Sequence, residues 1–303
     1  MRQFPALWPQ LFEASRLGIA FAEAVLSALW RQLSRASRLP RAGRSGLRCL
    51  LAGCATIVLA ACSSYAPGGL AIDRSIQSKS QDSRVDVIVL HYTAADDATS
   101  LKILSRKDVS SHYLISDDPV PHVYQLVDEN RRAWHAGSSE WYGRNHLNSS
   151  SIGIEIVNAG PQGSHWAPYT SEQIATLTVL LKGIIERHQI KPFNIVGHSD
   201  IAPQRKTDPG PMFPWKQLAQ AGIGRWYDEA QARKFQLRFR RHGLPSMLWV
   251  QKQLRRVGYQ APNSGVPDRA TKNVIAAFQM HYRPRRHNGV PDAETLAILK
   301  ALP

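Results

Sequence analysis

Cysteine is scarce in this 303-residue chain, and what there is sits in one place. Cys49, Cys54 and Cys62 all lie in one apolar stretch near the amino terminus, and residues 63–303 contain none. Everything after Cys62 is therefore closed to disulfides, thiolate nucleophiles and thiolate metal sites. Acidic residues are in deficit too: 38 Lys and Arg face 23 Asp and Glu, for a formal net charge of +15. The apolar run at 49–61 has only 13 residues, short of the roughly 20 that a membrane-spanning helix needs.

The basic surplus is uneven. Residues 1–61 carry eight Arg and two Glu, a net of +6, which leaves +9 for the remainder. A basic surface attracts anionic partners at long range. Nucleic acid, an anionic membrane face and the peptide carboxylates of a cell wall all qualify, and charge alone does not separate them from a merely solvated surface. The front of the chain discriminates better. Arg44 and Arg48 precede the apolar run and small residues end it, the layout of a secretory signal peptide. Its last residues, Leu59-Ala60-Ala61-Cys62, resemble the bacterial lipobox, whose cysteine is acylated and becomes the first residue of the mature protein. Acyl chains on Cys62 would anchor the chain by burying methylenes in a membrane. Ser63 in the next position implies the periplasmic face of the outer membrane, and that address argues against nucleic acid as a partner. The expected division is 1–61 as amino-terminal extension and signal peptide, and 62–84, rich in Ser, Gly and Pro, as a flexible tether. Residues 1–43 are long for a basic leader, and no function is attached to them.

Residues 85–91 (VDVIVLH) form a β-branched apolar run that reads as a buried strand. Residues 109–116, 122–127, 152–157 and 194–198 read as four more. Residues 171–188 set Ile174, Leu177, Leu181, Ile184 and Ile185 at helical spacing, with Ser171 as candidate N-cap. Strands interleaved with helices imply an α/β domain with a central mixed β-sheet over 85–227. Residues 228–245 are polar and basic and read as a linker. Over 246–303, Leu248, Val250, Leu254 and Val257 recur at helical spacing, and then 265–271 (GVPDRAT) returns as 289–295 (GVPDAET). Each copy sets an Asp three residues before a Thr, where it can cap a helix. This predicts a small carboxy-terminal domain of three short helices.

His91 closes the first strand, while His198 and Asp208 lie at the start and middle of a Pro- and Gly-rich loop after the last. Two neutral imidazoles and a carboxylate make a three-ligand set for zinc, with the fourth position left for water. Their spacing matches no local metal motif, however, and the chain has 11 His. Glu155 falls inside Ile-Gly-Ile-Glu-Ile-Val, where a charge is costly unless paired or functional. Lys206, taken alone, is one more basic surface residue. His112 reads as a core histidine or, like His135, as a residue that shapes a groove. Arg144 and Asn158 are candidates for contacts with peptide carboxylates or amides, with a solvated loop the favoured reading for Arg144.

Five segments resemble the type 2 N-acetylmuramoyl-L-alanine amidase family: 89–93 (VLHYT), 111–115 (SHYLI), 133–137 (AWHAG), 151–155 (SIGIE) and 197–203 (GHSDIAP). The likeness continues through 205–211 (RKTDPGP) to about residue 300. It implies the fold shared by these amidases and peptidoglycan-recognition proteins. It implies one Zn2+ per chain held by His91, His198 and Asp208, Glu155 as the acid–base group and Lys206 as the stabiliser of transition-state charge. The implied reaction is hydrolysis of the amide between N-acetylmuramic acid, or its anhydro form, and L-alanine of the stem peptide, in peptidoglycan or muropeptides. Residues 276–279 (AAFQ) and the two Asp-x-x-Thr loops resemble the peptidoglycan-binding module of wall hydrolases. The alternative on the same fold is a peptidoglycan-binding protein that does not cut. Loss of a zinc ligand or of Glu155 would favour it, and none is lost.

Overall fold

A computed structural model describes residue 70 and residues 72–303. The chain divides into two units, residues 1–79 and 80–303, and the second holds every helix and strand described here. The expected signal peptide, Cys62 and the first part of the tether lie outside the described residues. Among the described residues no helix is long and apolar enough to cross a membrane.

The chain runs β1 (Val87–Tyr92), α1 (Asp97–Arg106), β2 (Tyr113–Ile115), β3 (Val123–Gln125), a hairpin of β4 (Glu140–Trp141) and β5 (Arg144–Asn145), β6 (Ser151–Ile156), and a second hairpin of β7 (Pro161–Gln162) and β8 (His165–Trp166). Then follow α2 (Ser171–His188), β9 (Ile195–Gly197), α3 (His198–Ile201), α4 (Trp215–Gln220), α5 (Glu229–His242), α6 (Met247–Arg256), α7 (Arg269–Tyr282) and α8 (Ala293–Ala301). Five strands form a mixed sheet in the order β3-β2-β6-β1-β9, with β3 antiparallel and the other neighbours parallel.

Period-two alternation decides what each face of the sheet carries. On β1 and β6, Ile88, Leu90, Ile152, Ile154 and Ile156 pack with Ile174, Leu177, Leu181 and Ile184 of α2 in one core. Each fully buried Ile or Leu there contributes about 1.5–3 kcal/mol. Val87 and Val89 belong to the second core, with Val196, Ile201, Tyr259 and Phe278. That opposite face of β6 carries Ser151, Gly153 and Glu155, so the one strand that offers three isoleucines to the helix offers three small or polar residues to the other side. The N-cap of α2 is Thr170, one residue before the expected Ser171. Its hydroxyl accepts from the Gln173 N–H while the Gln173 side chain accepts from the Thr170 N–H.

The repeat in the carboxy-terminal part has a physical meaning. Asp268 and Asp292 cap α7 and α8 by accepting from the N–H groups of Thr271 and Thr295. In each copy a buried glutamine bridges loop and helix. Gln251 Nε2 donates to Thr271 Oγ1 and its Oε1 accepts from the Gly265 N–H; Gln279 does the same with Thr295 and Gly289. Both glycines have φ near +74°, where a side chain would be strained. Segment 228–245, read above as a linker, is mostly α5, which lies along α8 with Ala232 buried. Its basic composition hides the spaced apolar residues that pack, Ala232 and Phe239. The strands expected at 109–116 and 122–127 shrink to three residues each.

Asp200 ties the two halves together. Buried in α3, it accepts from the Gly197 N–H at 2.8 Å and the Tyr259 hydroxyl at 2.6 Å, and it pairs with His281 Nδ1 at 2.7 Å. The His281 ring stacks on Trp215 at 3.8 Å.

A second polar cluster anchors the far end of α2. Glu129 accepts from the Tyr113 hydroxyl (2.6 Å), from Arg187 (2.6 and 3.0 Å) and pairs with His188 Nε2 (2.8 Å). Burial alone would raise the Glu129 pKa, but these partners outweigh it and hold the carboxyl at about 2. A depressed carboxyl stabilises the fold fully above its unfolded pKa and loses that contribution as pH falls toward 2. Glu129→Gln should therefore cost about 1.5–3 kcal/mol at pH 7, with the gap to wild type narrowing between pH 5 and 3 in urea denaturation.

Candidate active site

Register builds the site. His91 pairs with Glu155 across β1 and β6, and Gly197, the last residue of β9, pairs with Leu90. The three strands are parallel, so their carboxyl ends gather, and that is where ligands bind in open α/β sheets. His198 follows Gly197 directly and comes to lie beside His91, with ring centroids 4.6 Å apart. The loop after α3 returns Asp208 to the same point. Its backbone carbonyl accepts from the Ser199 N–H at 2.8 Å. Asp208 Oδ2 lies 2.9 Å from His91 Nδ1 and 3.0 Å from His198 Nδ1. All three residues are buried, and their donor atoms lie within 4.8 Å of one another.

The donor set fits a cation. Both ring nitrogens of His198 face acceptors, Asp208 Oδ2 on one side and the Ala136 carbonyl at 3.1 Å on the other, where the Arg205 guanidinium also comes within 3.3 Å of Nε2. A neutral ring carries one proton, so one of these contacts sets lone pair against lone pair. A cation where the two Nδ1 atoms and Oδ2 converge would satisfy all three. His91 is suited to this. Burial and then neighbouring His198 lower its pKa to about 4, so it is neutral at pH 7. Burial would raise the Asp208 carboxyl, but the two imidazoles hold it well below the usual carboxylate range, and it stays ionised.

Glu155 lines the same cleft of about 400 Å3, with Lys206, Trp134 and the three donors. Its Oε2 is buried without a hydrogen-bond partner among the described residues. Burial, and then the charge of Asp208, push its pKa well above the ordinary value, while Lys206 opposes the rise. A cation at the triad would oppose it as well. Lys206 is exposed on the cleft wall and makes no ion pair among the described residues. The structure thus brings His91, His198, Asp208, Glu155 and Lys206 around one cleft.

Arg144 and Asn158, considered above for substrate contact, do not line this cleft, although Asn158 adjoins its wall through Thr93 and Ala94. Arg144 pairs with Asp86 at 2.6 Å on the exposed β4–β5 hairpin. Buried Asn158 donates to the Ala167 and Pro168 carbonyls and accepts from the Gly160 N–H, holding a turn. His112 is a core residue bridging the Gly153 N–H and the Arg131 carbonyl. His135 does border the cleft. Two residues escaped the sequence reading. Arg205 donates to the carbonyls of Ala136 and Ser138, fixing the loop behind His198. Gly153 leaves the space that the His135 ring occupies. The signal for Gly153 was present, since a glycine inside a strand marks the close approach of another group. Nothing local marked Arg205.

Three converging donors, from two strand ends and a loop, beside a carboxyl with one buried unpaired oxygen, define a site of the metallohydrolase class. Residues 81–211 match the N-acetylmuramoyl-L-alanine amidase family, and residues 244–299 match a putative peptidoglycan binding domain. The chain is 48% identical to N-acetylmuramoyl-L-alanine amidase AmiD of Escherichia coli (strain K12) over 244 residues, 77% of this chain and 88% of AmiD. It is similar to the crystal structure of AmpDh3 from Pseudomonas aeruginosa, with 43% identity and a TM-score of 0.73 over 77% of this chain and 97% of that one. It is also similar to E. coli AmiD in complex with the substrate anhydro-N-acetylmuramic acid-L-Ala-D-gamma-Glu-L-Lys, with 43% identity and a TM-score of 0.70 over 79% and 96%. The chain belongs to the N-acetylmuramoyl-L-alanine amidase family.

The site's backbone is tight. A Cβ on Gly197 would sit 2.5 Å from the Pro209 ring and 3.4 Å from the Asp208 carbonyl. Gly197→Ala should push apart the segments bearing His198 and Asp208 and cost about 1–3 kcal/mol, read as a lower midpoint in thermal or urea unfolding. An unchanged midpoint would show that this contact relaxes freely.

Proposed function

We propose that this chain is a zinc-dependent amidase that hydrolyses the bond between N-acetylmuramic acid, or its anhydro form, and L-alanine of the stem peptide. The observation that carries this reading is the partnerless Glu155 carboxyl facing the His91, His198 and Asp208 donors across one cleft. The anhydro substrate bound by AmiD supports the substrate class.

The chain supplies four operations. His91, His198 and Asp208 would hold one Zn2+, which when bound polarises the scissile carbonyl and makes water nucleophilic at neutral pH. Glu155 takes a proton from the attacking water and returns it to the amide nitrogen as the C–N bond breaks. Lys206 faces the negative charge that develops on the carbonyl oxygen. The carboxy-terminal helices, matched to a putative peptidoglycan binding domain, retain the wall polymer near the cleft. The lipobox-like Leu59-Ala60-Ala61-Cys62 supports acylation of Cys62 and attachment at the periplasmic face of the outer membrane.

Incubation of the chain with an anhydro-muramoyl tetrapeptide, read by mass spectrometry, should yield free anhydro-sugar and free tetrapeptide. Glu155→Gln should lower kcat by about 10^2–10^4-fold and Lys206→Ala by about 10^2–10^3-fold. An intact substrate from folded, zinc-loaded protein would overturn the reading in favour of wall binding without cleavage. Cys62→Ser should abolish incorporation of labelled palmitate and release the protein from the membrane fraction. Unchanged labelling would remove the anchor from the account.

A further inference from the structure

One chain of hydrogen bonds leads from a metal donor into the protein behind it. His91 Nε2 lies 3.1 Å from His135 Nδ1, His135 Nε2 lies 3.2 Å from Ser151 Oγ, and the Ser151 hydroxyl donates to the Leu147 carbonyl at 2.5 Å. The carbonyl at the end can only accept, and this sets the direction of every link. Ser151 uses its one proton on Leu147, so its oxygen accepts from His135, and the proton of His135 is on Nε2. A neutral His135 then offers a lone pair at Nδ1, so His91 donates from Nε2. The free lone pair of His91 is left at Nδ1, facing Asp208.

The packing around His135 is specific to it. A Cβ on Gly153 would lie 2.4 Å from the ring's Cγ and 2.6 Å from Cδ2 and Nδ1, so the ring fits only over a glycine. The backbone N–H groups of His135 and Ala136 both donate to Asn148 Oδ1, at 3.0 and 2.7 Å, which fixes the loop that carries the ring. His198 has its own backing in the Ala136 carbonyl. Adjacent residues of one loop therefore stand behind both imidazole donors.

We propose that His135 is a positioning residue for the metal site. It fixes the tautomer and orientation of His91 so that Nδ1 faces the ion, and Ser151 and Leu147 fix His135 in turn. Partners of this kind behind ligating histidines contribute about 10–100-fold to metal affinity. The proposal rests on the zinc-amidase reading for the presence of the ion, and on the contacts of this chain for the rest.

The test uses the full chain and two readouts besides activity: zinc affinity by competition with a chromophoric chelator, and the visible absorption of the Co2+-substituted protein. His135→Phe keeps a ring and removes the acceptor. It should bind zinc about 10–100-fold more weakly and shift the cobalt bands. His135→Asn, whose side-chain oxygen can accept in place of Nδ1, should recover most of the affinity. Ser151→Ala cuts the next link and should weaken binding severalfold. Zinc binding within twofold of wild type and an unshifted cobalt spectrum in His135→Phe would overturn the proposal. If that variant does not fold, Ser151→Ala decides: a severalfold loss supports the relay, and affinity within twofold of wild type overturns it. A wild-type chain that binds no zinc would instead bring down the amidase reading, and this proposal with it.

Discussion

The register of β1 against β6 and β9 is the constraint on which the rest of the site depends. With His91 opposite Glu155 and Gly197 opposite Leu90, the proposed metal donor, the proposed acid–base carboxyl and the start of the His198 turn arrive at one sheet end. A slip of one residue in β1 would turn His91 into the helix-packed core and bring Leu90 or Tyr92 to the site, because side chains alternate faces. The isoleucines of β6 and the apolar stripe of α2 hold that register, since one face of the sheet must meet the helix. Core packing on one side thus fixes chemistry on the other.

The carboxy-terminal helices are fused to the amidase part. Asp200 sits two residues after His198 and joins Gly197, Tyr259 and His281 in one buried network. Breaking such a network leaves a buried charge uncompensated, which costs about 3–5 kcal/mol. The segment that matches a wall-binding domain therefore also braces the strand end from which His198 projects.

Much of this was legible in the sequence, for physical reasons that differ between elements. The strand at 85–91 and the helix at 171–188 announce themselves by apolar period, and the Asp-x-x-Thr repeat by its capping chemistry. Glu155 stood out because a carboxylate between isoleucines needs a reason. The metal donors did not stand out by spacing, since a triad gathered from two strand ends and a loop has no local signature; resemblance supplied them. α1 escaped because its apolar residues are few, and α5 because charge masked its packing face. The roles of Arg205 and His135 rest on which loop packs behind which ligand. For Arg144 and Asn158 the fold adds partners that the sequence does not show, an ion pair with Asp86 and a turn.

Hydrolysis is proposed to depend on one ion held by the His91, His198 and Asp208 donors. The most direct test is metal stoichiometry by native mass spectrometry, with amidase activity followed as zinc is returned to the chelated protein. The expected result is one zinc per chain, activity rising in proportion to occupancy up to one equivalent, and neither in Asp208→Ala. Metal-free protein that cleaves at the wild-type rate, or an Asp208→Ala chain that still holds one zinc, would contradict it.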